Sequence, residues 1–324
     1  MAARSNRPAG SRLDDPATAA AAIRRAASRI AGYVRWTPCV NVRVPLPMAA
    51  SPVIVTCKLE VLQVTGSFKA RGAINSLLQT EASSVIACSG GNHGLAVAWA
   101  AQRLGRHATI VVPTTAAAAT LAAMRAAGAD VVEHGDVPAD AFALAEQLVA
   151  ERGWPLIHPY DQQPTIDGQA TLGIELSSDA PGVTHWLVAV GGGGLAAGIA
   201  LALHDSDATV VPVEPEGCPT LYDAQHAGGP VATPAGGIAR TSLGAPHLGT
   251  IAWRILRDAV PPSTLVTDDD IRDAQRWLWR EARVVAEAGG ATALAALTSG
   301  AWTPPPDARV GVVICGGNVD ALPE

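Results

Sequence analysis

The sequence predicts an α/β protein built from two parallel-sheet domains, and three observations carry that expectation. Short β-rich runs alternate with Ala-rich helical stretches through most of the chain, the pattern of right-handed βαβ units. Glycine-marked turns follow apolar runs at Ser89 to Gly94 (SGGNHG), Gly191 to Gly194 (GGGG) and Cys315 to Asn318 (CGGN). Third, Trp186 to Leu203 carries no charge for 18 residues, the lower limit for a membrane span, yet has four consecutive glycines in its centre. Each would weaken a helix by about 1 kcal/mol relative to alanine, so the segment reads as a buried strand, a glycine loop and a buried helix.

Taken in order, residues 1–20 have early arginines but no apolar core before Asp14 and Asp15, and are expected to form a flexible leader, not a secretory signal. A strand at Val53 to Leu59 leads into the turn TGSFKARG (Thr65 to Gly72), with a helix beginning near Lys69. Strands at Ser84 to Cys88, Ala108 to Val112, Asp130 to Glu133 and Pro155 to Ile157, separated by helices such as Gly94 to Leu104 and Ala116 to Ala127, make a small α/β domain over 75–157. Strands at Trp186 to Val190, Val210 to Glu214, Thr264 to Thr267 and Arg309 to Cys315 join Val53 to Leu59 in a larger sheet, built from residues 1–74 and 158–324. In parallel sheets the chemistry gathers where strands end and helices begin, because loop amides and helix N-termini point into the crevice there. Four such turns facing one crevice would make a cofactor site.

The 23 basic side chains are outnumbered by 29 acidic ones, a formal charge of −6, which argues against nucleic acid or an anionic membrane as partner. A hydrophobic content of 48% excludes a disordered chain. The cysteines (Cys39, Cys57, Cys88, Cys218, Cys315) are odd in number and never form a CxxC pair. They indicate neither a disulfide framework nor a zinc knuckle, and a reducing cytoplasm fits them best. Lysine occurs only at Lys58 and Lys69. Arginine serves any solvated charge equally well, whereas imine chemistry needs a primary amine. Lys58 alternates within a strand, where an edge or salt-bridge role is expected; Lys69 opens a helix in a glycine-flanked loop and is the candidate for chemistry. The GGGG run reads either as a phosphate cradle or as close helix-to-strand packing. It lacks the N-terminal placement expected of a dinucleotide fingerprint.

Together these motifs resemble the fold type II pyridoxal-phosphate enzymes, most closely the threonine/serine dehydratase branch. The matching residues are GSFKARGA (Gly66 to Ala73), SGGNHG (Ser89 to Gly94), HPYDQQPTIDGQATLGIEL (His158 to Leu176), VGGGGLAAGIA (Val190 to Ala200), VEPEG (Val213 to Gly217), GGIA (Gly236 to Ala239) and ICGGNVD (Ile314 to Asp320), in the family's order. The resemblance implies two parallel-sheet domains with pyridoxal 5′-phosphate in the cleft between them. It makes Lys69 the residue that holds the cofactor covalently and then removes the substrate's α-proton, with Phe68 pressing on the ring. Asn92 is expected on the cofactor's 3′ oxygen, Gly191, Gly192, Gly193 and Gly194 on its phosphate, and Cys315 beside its pyridine nitrogen. Gly237 and Glu287 complete the expected cofactor site. Ser89, Gly90, Gly91, Asn92 and His93 form the loop that takes the substrate carboxylate, with Gln169 also on the substrate side.

Some positions depart from the family pattern. Gly90 stands where racemases of the family place a second catalytic serine, so no hydroxyl is available to reprotonate the opposite face. The family's divalent-cation site would use Glu214 with positions now held by Cys218 and Thr220, which leaves Glu214 a weak metal candidate. Ala288 replaces the proline after Glu287, and Asp167 is expected to be a solvated loop charge or a bias on substrate choice. The expected activity is dehydration of L-threonine or L-serine to 2-oxobutanoate or pyruvate and ammonia, by a cytoplasmic homodimer acting on a small amino acid. Alternatives are a β-replacement synthase, whose relatives usually show an acidic residue where Ala70 follows Lys69, a lyase for another β-substituted amino acid such as a hydroxyaspartate, and a non-enzymatic α/β binding protein that kept only the glycine loops.

Overall fold

The computed structural model describes residues 16–47 and 51–319. Among them lie nine strands: β1 (Cys39–Val44), β2 (Val53–Leu59), β3 (Ser84–Cys88), β4 (His107–Val112), β5 (Asp130–Glu133), β6 (His185–Ala189), β7 (Thr209–Pro215), β8 (Thr264–Val266) and β9 (Val310–Ile314). The larger sheet has the order β1-β2-β9-β6-β7-β8, parallel except where β1 pairs antiparallel with β2. The smaller sheet, β3-β4-β5, is parallel throughout. Helices cover both faces of such sheets, so central strands read as continuous apolar runs; β9 is buried at every position. Small residues let the covering helices close up. A Cβ on Gly198 would lie 2.7 Å from the Ala170 amide nitrogen, so the helices Gln163–Asp179 and Gly194–Ala202 can approach this closely only with glycine there.

Three differences from the sequence expectations have physical causes. Pro155 to Ile157 forms no strand: Leu156 makes one bridge to Ile86, and the chain then leaves the sheet through Pro159. Strand β1 was not foreseen, although the alternation of Val40, Val42 and Val44 carries the period-2 signal. The helix Pro16–Ile30 begins inside the 20 residues expected as a leader, because Ile23, Ala26 and Ile30 give it an apolar face to bury; residues 1–15 lie outside the described residues. The core of the smaller sheet also takes Ile30, Ala73 and Ile74 from before residue 75, so helix Lys69–Leu77 packs into it. Trp186 to Leu203 resolves into β6, the glycine turn and helix Gly194–Ala202. No helix among the described residues is long and apolar enough to cross a membrane.

What positions the site is the order of the larger sheet. Strands β2, β9 and β6 are consecutive neighbours, and the turns at their C-terminal ends are TGSFKARG, CGGN and GGGG. SGGNHG follows β3 at the matching end of the smaller sheet.

Candidate active site

Two of these turns are laced together by their backbones. Ser67 bridges Gly316, Phe68 N donates to Cys315 O at 3.0 Å, and Gly317 N donates to Gly66 O at 2.9 Å. Gly66 sits at φ +73°, where a side chain would collide with that of Asn318. The lacing sets Lys69 at the first position of its helix, with Nζ donating to the Pro159 carbonyl at 2.8 Å and lying 5.1 Å from the centre of the Phe68 ring. Burial lowers the Lys69 pKa to about 8, against the opposing pull of Cys315 and Glu287. The neutral, nucleophilic amine is therefore populated as pH rises through about 8 instead of through the ordinary 10.5. Competitive acylation followed by peptide mass spectrometry should show Lys69 labelling with a midpoint near 8; a midpoint at the ordinary lysine value would contradict this environment.

Asn92, the first residue of helix Asn92–Arg103, brings the smaller sheet to the same place. Its Nδ2 donates to Glu287 Oε1 at 2.5 Å, and its Oδ1 accepts from Asn318 Nδ2 at 2.7 Å. Burial raises the Glu287 carboxyl to about 7, opposed by the Asn92 hydrogen bond and by Lys69. Burial also pushes the Cys315 thiol up, so it stays protonated and donates to Gly289 O at 3.4 Å.

The glycine turn is reached through the segment that follows Pro159. The Tyr160 ring lies where a side chain on Gly192 would be, the Tyr160 backbone and Cβ lie 3.1–3.2 Å from a Cβ on Gly194, and the Leu243 backbone lies where one on Gly191 would be. The run is thus closely packed, against Tyr160 and Leu243, and it opens helix Gly194–Ala202, with Gly193 at φ +85°. Among the described residues no carbonyl or side chain takes the four amides, which stay available at the helix's positive end. Gly237, at φ +74°, lets the Ile238 amide reach the Asp268 carboxylate at 3.1 Å. This anchors the loop whose continuation places Thr241 O 3.1 Å from a Cβ on Gly91.

Within the SGGNHG loop, Ser89 Oγ accepts from Gly91 N at 3.3 Å. His93 turns its ring away to the Ile157 carbonyl at 2.8 Å, and burial lowers its pKa to about 3, so it is neutral and offers the loop its backbone. Gln169 lies in the interior of helix Gln163–Asp179 with its buried amide pressed on Gly72, one turn after Lys69. Asp167 is in the same helix, not in a loop; it accepts from Gln163 at 2.7 Å and shares a small crevice with Thr18 and Ile23 of the N-terminal helix. Both Glu214 oxygens are taken by the Leu221 and Tyr222 amides, at 2.7 and 2.8 Å, so this carboxylate caps helix Thr220–Ala227. No cluster of three His, Cys, Asp or Glu suited to a metal occurs among the described residues. Lys58 is not on an edge: it is fully buried, with Nζ 2.7 Å from Glu175 and 2.8 Å from Asp179.

Pro159, Tyr160 and Asn318 are site neighbours to which the sequence assigned no role. They stand in quoted motifs, but their contacts span loops that only the folded chain closes.

A primary amine of lowered basicity and a glycine turn whose amides face no partner among the described residues, between two sheets, suit an α/β enzyme that uses a phosphorylated aldehyde as cofactor. Over residues 30–316 the chain matches the pyridoxal-phosphate dependent enzymes, and it belongs to that family. It is 38% identical to phenylserine dehydratase of Ralstonia pickettii over 91% of each chain. It is 36% identical to the catabolic L-threonine dehydratase of Escherichia coli K12, over 81% of this chain and 82% of that one. A pyridoxal 5′-phosphate-dependent aspartate racemase superposes with a TM-score of 0.85 at 32% identity, covering 94% of this chain and 97% of that one. The fold is that of the fold type II pyridoxal-phosphate enzymes, and the cofactor is pyridoxal phosphate. The residues present fit it: the amine of Lys69, the unclaimed amides of Gly191 to Gly194 for a phosphate, and a neutral thiol at Cys315 in place of a carboxylate.

Proposed function

We propose that this enzyme is a lyase that eliminates the β-hydroxyl of an amino acid, releasing a 2-oxo acid and ammonia, with L-threonine and L-serine as its substrates. Residues 75–157 are read as its smaller domain and the flanking segments as its larger one. The observation that carries the reading is Gly90: the residue before Gly91-Asn92-His93 has no side chain, and Ala116 closes the space a side chain would take.

Pyridoxal phosphate, when bound, supplies the electron sink that makes the substrate's α-proton removable. Lys69 holds the cofactor and then takes that proton, for which an amine titrating near 8 is suited at neutral pH. Gly191 to Gly194 bind the phosphate through their amides, and Phe68, Asn92, Gly237 and Glu287 shape the rest of the cofactor site. Cys315, an uncharged thiol, offers the ring nitrogen a weak partner, which favours elimination over transamination. Ser89, Gly91, Asn92 and His93 hold the substrate carboxylate with backbone amides, and Gln169 packs behind the Lys69 helix.

Inverting the α-carbon needs a proton donor on each face, and Lys69 serves one. A Cβ on Gly90 would lie 2.7 Å from that of Ala116. Gly90→Ser alone should therefore distort the loop and lose activity. Combined with Ala116→Gly it should recover turnover and raise the share of inverted amino acid, measured by chiral chromatography. A double variant that turns over without any gain in the D-product would contradict this reading of position 90.

A second reading of the substrate is favoured by the likeness to phenylserine dehydratase. Phe142, His158, Tyr160 and His247 form a chain of edge-to-face rings with centres 5.9, 4.7 and 6.4 Å apart, with the Tyr160 ring against Gly192 of the glycine turn. Such a wall suits a β-aryl group. Assaying 2-oxo acid and ammonia release from threonine, serine, 3-phenylserine and 3-hydroxyaspartate, in both enantiomers, tests both readings. Release from none of them would overturn the lyase assignment.

A further inference from the structure

Asn318 lies four residues beyond the end of β9 and joins three separate segments. Its Nδ2 donates to Thr65 O at 2.9 Å, in the loop before Lys69, and to Asn92 Oδ1 at 2.7 Å, at the start of the smaller sheet's helix. Its side chain fills the space that Gly66, at φ +73°, leaves by having no Cβ. The other end of the Asn92 amide meets Glu287, whose Oε1 occupies the space a Cβ on Gly316 would need.

The two ends of a side-chain amide differ only in that one donates and the other accepts. Its orientation is fixed by whichever neighbour can do only one of these. Glu287 cannot decide alone, because burial brings its carboxyl to about 7: ionised it accepts, protonated it also donates. Asn318 is fixed in turn by the Thr65 carbonyl, which only accepts and so holds Nδ2 on this side; that group only donates, so it must meet the oxygen of Asn92.

We propose that Asn318 is a positioning residue that fixes the Asn92 amide with its oxygen toward the CGGN turn and its Nδ2 toward Glu287, and so readies Asn92 as a donor to the cofactor's 3′ oxygen. This rests on the assignment of Asn92 to the cofactor made above. Asn92 Nδ2 carries two hydrogens, one spent on Glu287, which leaves the other for an acceptor in the cleft. With Asn318 unable to donate, the amide is free to flip and present its oxygen, which would repel an oxygen of the cofactor. The same contact ties the helix Asn92–Arg103 to the CGGN turn across 226 residues of sequence.

The test measures pyridoxal phosphate affinity by equilibrium dialysis for Asn318→Asp, Asn318→Ala, Asn92→Ala and the two double variants, with apoprotein melting as a control for folding. Asn318→Asp is isosteric but cannot donate. It should weaken cofactor binding by roughly 10-fold or more, in the range typical of residues that orient a ligand. In the Asn92→Ala background the same change should cost less than about twofold, since residues acting through one another are not additive. Asn318→Ala, which adds no charge beside Glu287, should show the same dependence on Asn92. Wild-type affinity in Asn318→Asp, or an equal loss in both backgrounds, would overturn the proposal. Wild-type affinity in Asn92→Ala would overturn the Asn92 assignment and the proposal with it. Because the readout is cofactor binding, a holoprotein without dehydratase activity leaves the test intact.

Discussion

Replacing Lys69 by alanine should abolish both turnover and the visible absorption that survives dialysis of the loaded protein. The chain has two side-chain amines, and the structure separates them completely. Lys69 sits at the mouth of its helix among Phe68, Pro159, Glu287 and Cys315, with its basicity lowered by burial. Lys58 is locked between Glu175, Asp179 and the Thr37 carbonyl, with no exposure at all. Losing the base alone typically costs roughly 10²–10⁴ in rate, and losing the covalent anchor removes the remainder. Lys69→Arg should fail as well, because a guanidinium is not deprotonated in proteins. Lys58→Arg should keep the colour. A Lys69→Ala protein that still releases 2-oxo acid would refute the assignment.

The second large effect is on stability. Arg71, two residues after Lys69, donates to both oxygens of Glu60 at 2.7 Å and to Glu175 at 2.6 Å, with all three residues buried. Through Glu175 the network continues to Lys58, so strand β2, the Lys69 helix and helix Gln163–Asp179 share one set of charges. Arg71→Met leaves the Glu60 carboxylate without its partner and should cost roughly 3–5 kcal/mol in chemical denaturation, as the breaking of buried pairs does. Burial by itself would raise the Glu60 carboxyl, but the Arg71 charge and hydrogen bonds, helped by Thr37, hold it below its ordinary value of 4.5. A carboxyl with a depressed folded pKa contributes stability above its unfolded value and loses it as pH falls through the folded one. The gap between wild type and Arg71→Met should therefore be widest near neutrality and shrink below about pH 4.5. A gap that widened in acid would contradict this role.

Much of the architecture is legible in the sequence because it rests on local rules. Val53 to Leu59, Ser84 to Cys88 and Asp130 to Glu133 are strands over the residues expected, and in Ser84 to Cys88 burial in a parallel sheet writes the apolar run directly. Glycine turns are legible for the same reason: Gly193 at φ +85° is a local demand that few other residues meet. What the sequence could not show is where side chains turn once loops close. The neutral His93 ring bonds to Ile157, 64 residues away, while the Glu214 carboxylate capping the helix that follows its strand and Asp167 lying inside a helix are set by loop closure and helix start points that no local rule marks. The contact of Asn318 with Asn92 is of the same kind. Strand β1 is the exception, since its alternation was present to be read.

The measurement that tests the central claim most directly takes the loaded enzyme and whichever β-hydroxy amino acid it turns over fastest. It follows 2-oxo acid, ammonia and the enantiomer of the residual substrate together, by chiral chromatography. With Lys69 on one face and no hydroxyl at Gly90 for the other, 2-oxo acid and ammonia should appear in equal amounts, with little inverted amino acid. Inverted amino acid accumulating at a rate comparable with the 2-oxo acid would show that the opposite face has a donor, and would contradict the account.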